Sequence, residues 1–181
     1  MIFEELITDR LILRKLTQES FDAIYSDLSQ DEQLNILGLN SIEKLLEEKE
    51  KYKKGLSTHN KKFLYFQLLE QESRKIIGWC GYHIWYLDHK RAEIGYGLFE
   101  NDYKGKGLMS EAIIPIVDYG FIRMELNRIE AVIEPKNKAS IKLINKLNFV
   151  KEGHLREHYY NDENNKMEDS IIFALLKSEY K

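Results

Sequence analysis

The chain predicts a single α/β domain, on three observations. Strand-like alternation and helical spacing succeed one another along its whole length. No linker, repeat or low-complexity segment divides it, and only two prolines interrupt its 181 residues. At mid-chain a strand, a glycine turn and a helix follow directly, in AEIGYGLFENDYKGKGLMSEA over 92–112. A composition 43% hydrophobic and 31% charged suits one domain of residues 1–181 with a sizeable core.

The elements follow from local pattern. Thr8–Leu16 alternates around Leu11 and Leu13 and reads as a first strand. Glu19–Leu28 places Phe21, Ile24, Tyr25 and Leu28 at helical spacing. Gly38–Asn40 punctuates the chain, and Ser41 caps a second helix that runs to Gly55. Phe63–Leu69 and Ile76–Tyr86 are strands around a turn at Gln71–Arg74, with Gly78 and Gly81 marking a bend or bulge. Ala92–Phe99 is the next strand, and Gly107–Arg123 the next helix. Pro115 is expected to kink or shorten that helix, at about 3 kcal/mol if nothing compensates. Arg128–Ile133 is a strand, Lys138–Leu147 a helix, and Phe149–Tyr160 and Ser170–Leu176 are closing strands.

Charge and composition exclude several classes. The net charge of −3 carries no nucleic-acid footprint and no polybasic membrane patch. The run Glu43–Lys54 alternates in sign and reads as a solvated helix face. With no apolar stretch of about 18 residues and no cationic leader, the expectation is a soluble, cytoplasmic protein. Cys80 stands alone between Trp79 and Gly81, as a small core residue rather than a nucleophile.

The 92–112 stretch is a device for holding an anion. The first turn of a helix offers backbone N–H groups without intrahelical partners and the positive end of the helix dipole. Gly105 and Gly107 let the backbone wrap close, and Lys104 and Lys106 add charge. The nucleoside-triphosphate loop is excluded, because Gly107 follows Lys106 where Ser or Thr is needed. The dinucleotide fingerprint fails too, since Ser110 stands where its third glycine belongs. An ordinary tight connection remains open on the loop alone. A second motif, EPKNKASIKLINKLNF over 134–149, sets Asn137 and Ser140 three apart, so both can face one ligand. Equally, Asn137 can simply cap the helix.

Together the motifs resemble the RimJ/RimL branch of the GCN5-related N-acetyltransferases over nearly the whole chain. The resemblance rests on Glu93-Ile94-Gly95-Tyr96, Gly105-Lys106-Gly107, Glu111-Ala112 and Asp118-Tyr119-Gly120-Phe121. It extends to Asn137, Ser140, Leu143, Asn148-Phe149 and Glu152-Gly153, and to a first strand at Thr8–Arg14. Three positions depart from the pattern: Asn148 where glycine is usual, Asp102 in the loop, and Pro115 within the main helix.

The resemblance implies a mixed, mostly antiparallel sheet of about six or seven strands flanked by about four helices, in the order β-α-α-β-β-β-α-β-α-β-β. It implies transfer of acetyl from acetyl-CoA to a primary amine in a ternary complex, with no metal. Leu98 and Phe99 would lie along the pantetheine. Lys104, Gly105, Lys106, Gly107, Leu108, Met109 and Ser110 would cup the pyrophosphate, and Asn137 would bind the pantetheine arm. Ser140 is the candidate general acid. Glu93 is a candidate base, with an ordinary ion-paired strand residue and a draining water chain as alternatives. Tyr82, Trp85 and His158 are candidates for the acceptor side. His154 and His158 fall on a strand, where four residues span about 13 Å, too far to share a metal. The acceptor expected is a ribosomal-protein or other N-terminus, or else a polyamine, amino sugar or aminoglycoside. The state expected is a monomer or homodimer. A non-catalytic CoA-binding module is the competing class.

Overall fold

A computed structural model describes residues 3–55, 61–162 and 164–180. Its elements are β1 (Glu5–Ile7), β2 (Leu11–Thr17), α1 (Gln18–Asp27), α2 (Gln30–Leu37), α3 (Ile42–Gly55), β3 (Lys61–Glu70), β4 (Ile76–Tyr86) and β5 (Arg91–Leu98). A 3-10 turn at Asn101–Tyr103 leads to α4 (Leu108–Ile122), β6 (Arg128–Ile133), α5 (Lys138–Lys146), β7 (Val150–Asn161) and β8 (Lys166–Leu176). The strands form one eight-stranded sheet in the order β1-β2-β3-β4-β5-β6-β8-β7. Every neighbouring pair is antiparallel except β5 with β6.

The expected sheet type holds, with corrections to the count. The expected first strand is β2, and an unanticipated strand, β1, precedes it across a turn at residues 8–10. Helix α2 was not anticipated. It is built by local chemistry: Ser29 and Glu32 form a reciprocal capping box, and Gly38 ends the helix at φ 67°. Pro115 neither breaks nor shortens α4, which runs unbroken past it. Burial of Ala112, Ile113, Ile116, Val117 and Phe121 holds that helix more firmly than propensity alone would. Asn148 takes φ 62° where the related pattern has glycine, and asparagine is among the few residues that tolerate this region.

The sheet buries its two faces differently. Leu64, Phe66, Cys80, Tyr82, Ala92 and Ile94 pack with α4, and Ile144 of α5 joins the same core. On the other face Phe63 and Tyr65 of β3 meet Leu16, Phe21, Ile24 and Tyr52. Cys80 is fully buried, and burial pushes its thiol far up, as a core residue requires. No helix among the described residues is long and apolar enough to cross a membrane.

Candidate active site

The sheet opens at its one parallel junction. β5 and β6 pair only through Arg91–Glu93 against Arg128–Glu130. Beyond Glu93 they part, while β5 stays bonded to β4 as far as Leu98. The β6-facing edge of β5 from Ile94 to Leu98 therefore has no ladder partner, and such backbone groups need one from elsewhere. Leu98 packs half-buried against the core, and Phe99 just beyond is 60% exposed.

At the end of that edge sits the glycine loop. Gly105 and Gly107 both adopt positive φ, 74° and 78°, and nothing lies within 4 Å of where a Cβ on Gly105 would be. Gly107 is the N-cap of α4. The loop is an open concavity at a helix N-terminus, suited to an anion. Lys104 Nζ donates to Asn101 Oδ1 at 2.8 Å and is held beside it.

A brace from the N-terminal strands fixes this loop. Glu111 Oε1 accepts from the Thr8 hydroxyl at 2.6 Å and from the Arg10 N–H at 2.8 Å. Its other oxygen accepts from Arg10 Nε at 2.7 Å. Arg10 also donates from Nη1 to Lys106 O at 3.2 Å, inside the loop. Burial pushes the Glu111 carboxyl up, but the hydrogen bonds from Thr8 and Arg10 and the Arg10 charge outweigh it and hold it below the usual carboxylate range. A lowered folded-state value contributes stability above the ordinary carboxylate range, lost as pH falls through that value. Glu111→Gln should therefore cost about 1–2 kcal/mol at neutral pH. Urea unfolding of both proteins should show the difference closing in strong acid; a pH-independent difference would contradict the brace.

The second motif faces the same opening. Asn137 Oδ1 accepts from the Ser140 N–H at 3.1 Å, so Asn137 is the N-cap of α5. The Ser140 side chain is half-buried and faces the Tyr96 hydroxyl of β5. That hydroxyl is buried with no hydrogen-bond partner. Burial pushes the Tyr96 phenol up to about 12, with Ser140 acting in the opposite direction.

The opposite face of the sheet holds a cavity of about 620 Å³. Phe21, Tyr25, Tyr52, Phe63, Tyr65 and Trp79 line it, with Glu48 and His83. The rings brace one another: Phe21 stacks on Tyr52 at 5.3 Å, and Trp79 meets Tyr65 edge-on at 6.1 Å. Glu93 lies on this cavity side. It is the cross-strand partner of His83, and His83 Nε2 is 3.2 Å from Glu93 Oε1.

Of the three acceptor-side candidates only Tyr82 touches this cavity. Tyr82 meets the cavity wall, but it is 1% exposed and its hydroxyl donates to Ile116 O at 2.8 Å, so its phenol belongs to the α4 core. Trp85 would share the His83 face in a regular strand. Between His83 and Tyr86 the register slips, with Ile84 at φ 52°, and Trp85 packs into the α4-side core instead. His158 lies on β7, the far edge of the sheet, where Nδ1 is 3.0 Å from Ser170 Oγ. His154 is on the same strand, with Nε2 2.6 Å from Asp169 Oδ2. Among the described residues no group of three His, Cys, Asp or Glu is placed to hold a metal.

Sequence reasoning missed Arg10, Tyr96 and His83. Arg10 and Tyr96 sat inside quoted motifs and gave no sign of what they touch. Gly95 was the available sign of His83: a Cβ there would lie 2.6 Å from the imidazole Cε1, and a strand glycine often marks a close approach.

Comparison with known proteins bears on the whole arrangement. Residues 10–150 match the acetyltransferase (GNAT) domain. The chain is 38% identical over 180 residues to the uncharacterized N-acetyltransferase p20 of Bacillus licheniformis, covering 98% of each. The ribosomal-protein-S5-alanine acetyltransferase of Vibrio fischeri superposes with a TM-score of 0.68 at 24% identity, over 98% of this chain and 99% of that one. The spermidine/spermine N-acetyltransferase SpeG of Vibrio cholerae gives 0.69 at 22%, over 96% and 97%.

Proposed function

Because the chain belongs to the GNAT acetyltransferase family, we propose that it moves acetyl from acetyl-CoA to the N-terminal amine of a polypeptide whose first side chain is aromatic or large and aliphatic. The residues present fit the co-substrate. The concavity at Gly105, the unpaired edge of β5 and the unpartnered Tyr96 hydroxyl are all places where a bound molecule satisfies what the protein leaves open. Lys104–Ser110 hold the pyrophosphate, the Leu98–Phe99 end of β5 lies along the pantetheine, and Asn137 has its amide N–H groups left to donate to that arm. When bound, acetyl-CoA supplies an acyl group activated as a thioester.

The protein's own work is to bring two partners together and manage two protons. Ser140 donates a proton to the departing sulfur. Glu93, on the other face, serves the removal of the amine proton. Holding both substrates at one opening supplies several kcal/mol of the rate by itself.

The observation that carries the acceptor is the cavity lining. Aromatic rings dominate, and Glu48 is its one carboxylate among the described residues. A polyamine brings several cations, and burying charges without partners is costly. Phe99 lines the cavity and is largely exposed, so the rest of a peptide can lead outward past it. Steady-state kinetics on a panel of peptides and on spermidine tests this. Peptides beginning with Phe or Leu should exceed those beginning with Asp, and spermidine, by about tenfold or more in kcat/KM, about 1.4 kcal/mol of discrimination. A preference for spermidine would overturn the acceptor reading.

A further inference from the structure

We infer that Trp79 tells a peptide N-terminus from a simple amine: its indole Nε1–H donates to the carbonyl oxygen of the acceptor's first residue. This rests on the acceptor reading above and names the contact that reading needs. Trp79 is half-buried and lines the aromatic cavity. Its cross-strand partner on β5 is Gly97, and Gly81, next on the same face of β4, lies opposite Gly95. These glycines leave room for the indole. Nε1 is 3.4 Å from where a Cβ on Gly97 would stand, and Cη2 is 3.0 Å from the same place on Gly95. The ring edge that bears the N–H therefore spans β5 from Gly97 to Gly95, along the stretch that has parted from β6.

That N–H is an unused donor. Among the described residues it has no hydrogen-bond partner, and unlike the Tyr96 hydroxyl it is not sealed from solvent. Other donors of the cavity are committed. The Tyr52 hydroxyl is held by Gln18 O at 3.1 Å and Asp22 Oδ1 at 2.8 Å, and Gln67 Nε2 donates to Ile36 O at 2.9 Å. Tyr25 and Tyr65 belong to the ring cluster around Phe21, on the β3 side of the cavity. A carbonyl oxygen enclosed by aromatic walls needs a donor, and Trp79 supplies one. The reach is right as well. Gly95 and Gly97 stand about 6–7 Å apart along the strand. In an N-terminal residue only Cα and the carbonyl carbon separate the amine from the carbonyl oxygen. With that oxygen on Nε1 at Gly97, the amine meets the thioester near Gly95. A site built around a hydrogen bond rejects an analogue that lacks the partner atom. An amine with no neighbouring carbonyl leaves the indole N–H unpaired.

Two substrates with the same ring separate this contact from packing. One is a peptide beginning with Phe; the other is phenethylamine, which has the ring and the amine but no carbonyl. Trp79→Phe should lower kcat/KM about tenfold more for the peptide than for phenethylamine. Trp79→benzothienylalanine keeps the fused ring with sulfur in place of the N–H, and should do the same. CoA binding by calorimetry checks that each variant is folded. In the ¹H–¹⁵N spectrum of the wild-type protein, the Trp79 indole signal, assigned by its loss in Trp79→Phe, should move downfield with phenylalaninamide and not with phenethylamine. Equal losses for the two substrates overturn the inference and leave the indole a packing residue. A wild-type protein that binds acetyl-CoA but acetylates neither substrate overturns the functional reading instead. The indole signal then decides the inference alone: a downfield shift confined to phenylalaninamide supports it, and the same response to both compounds overturns it.

Discussion

Ser140→Ala should lower kcat about a hundredfold, about 2.7 kcal/mol, while leaving KM for acetyl-CoA nearly unchanged. The substitution is clean on structural grounds. The contact that caps α5 uses the Ser140 backbone N–H, which alanine keeps, and alanine is the better helix former. What is removed is the hydroxyl facing Tyr96. A thiolate then leaves without a proton donor at hand. Because the donor acts on the leaving group, the loss falls on kcat rather than on binding. Tyr96→Phe makes the companion experiment: it removes the buried hydroxyl and should have a smaller effect, since burial keeps that phenol a poor acid. A Ser140→Ala enzyme with full kcat would return Ser140 to an ordinary helix position.

Gly107→Asp should weaken CoA binding at least tenfold, or 1.4 kcal/mol. Gly107 sits at φ 78° as the N-cap of α4. Aspartate is one of the few residues that accept both the left-handed region and an N-cap, so the fold should survive. The nearest atom to a new Cβ is Arg10 Nη2, at 3.8 Å. The harm is to the ligand: the carboxylate occupies the concavity and repels a pyrophosphate. Gly107→Asn carries nearly the same shape without the charge, so its smaller loss in calorimetry isolates the electrostatic part. Equal CoA affinity in all three proteins would remove the loop from the binding site.

The α4 side of this site was legible in the sequence because its signals are local. Two glycines that need positive φ, a helix start and an Asn cap three residues before a serine are all written in contiguous residues. The Ser29–Glu32 box is a local signal of the same kind, and it was overlooked. β1, at three residues, is too short to show alternation. The cavity side was not legible because long-range geometry decides it. The slip at Ile84, a β-branched residue at φ 52°, turns Trp85 away from the face of His83, and no residue type nearby signals it. His158 is distant because β8 lies between β7 and β6, which depends on the order of the whole sheet. The face of Glu93 became definite only with its partner across the strand, His83.

The most direct test of the account is a crystal structure of the protein with CoA bound. It should place the pyrophosphate within hydrogen-bond distance of the backbone N–H groups at Gly105–Ser110. The pantetheine should run along the unpaired edge of β5 toward Gly95, with the sulfur beside Ser140 and open to the aromatic cavity. A CoA molecule bound elsewhere, or one whose sulfur is sealed from the aromatic cavity by an intact β5–β6 ladder, would contradict it.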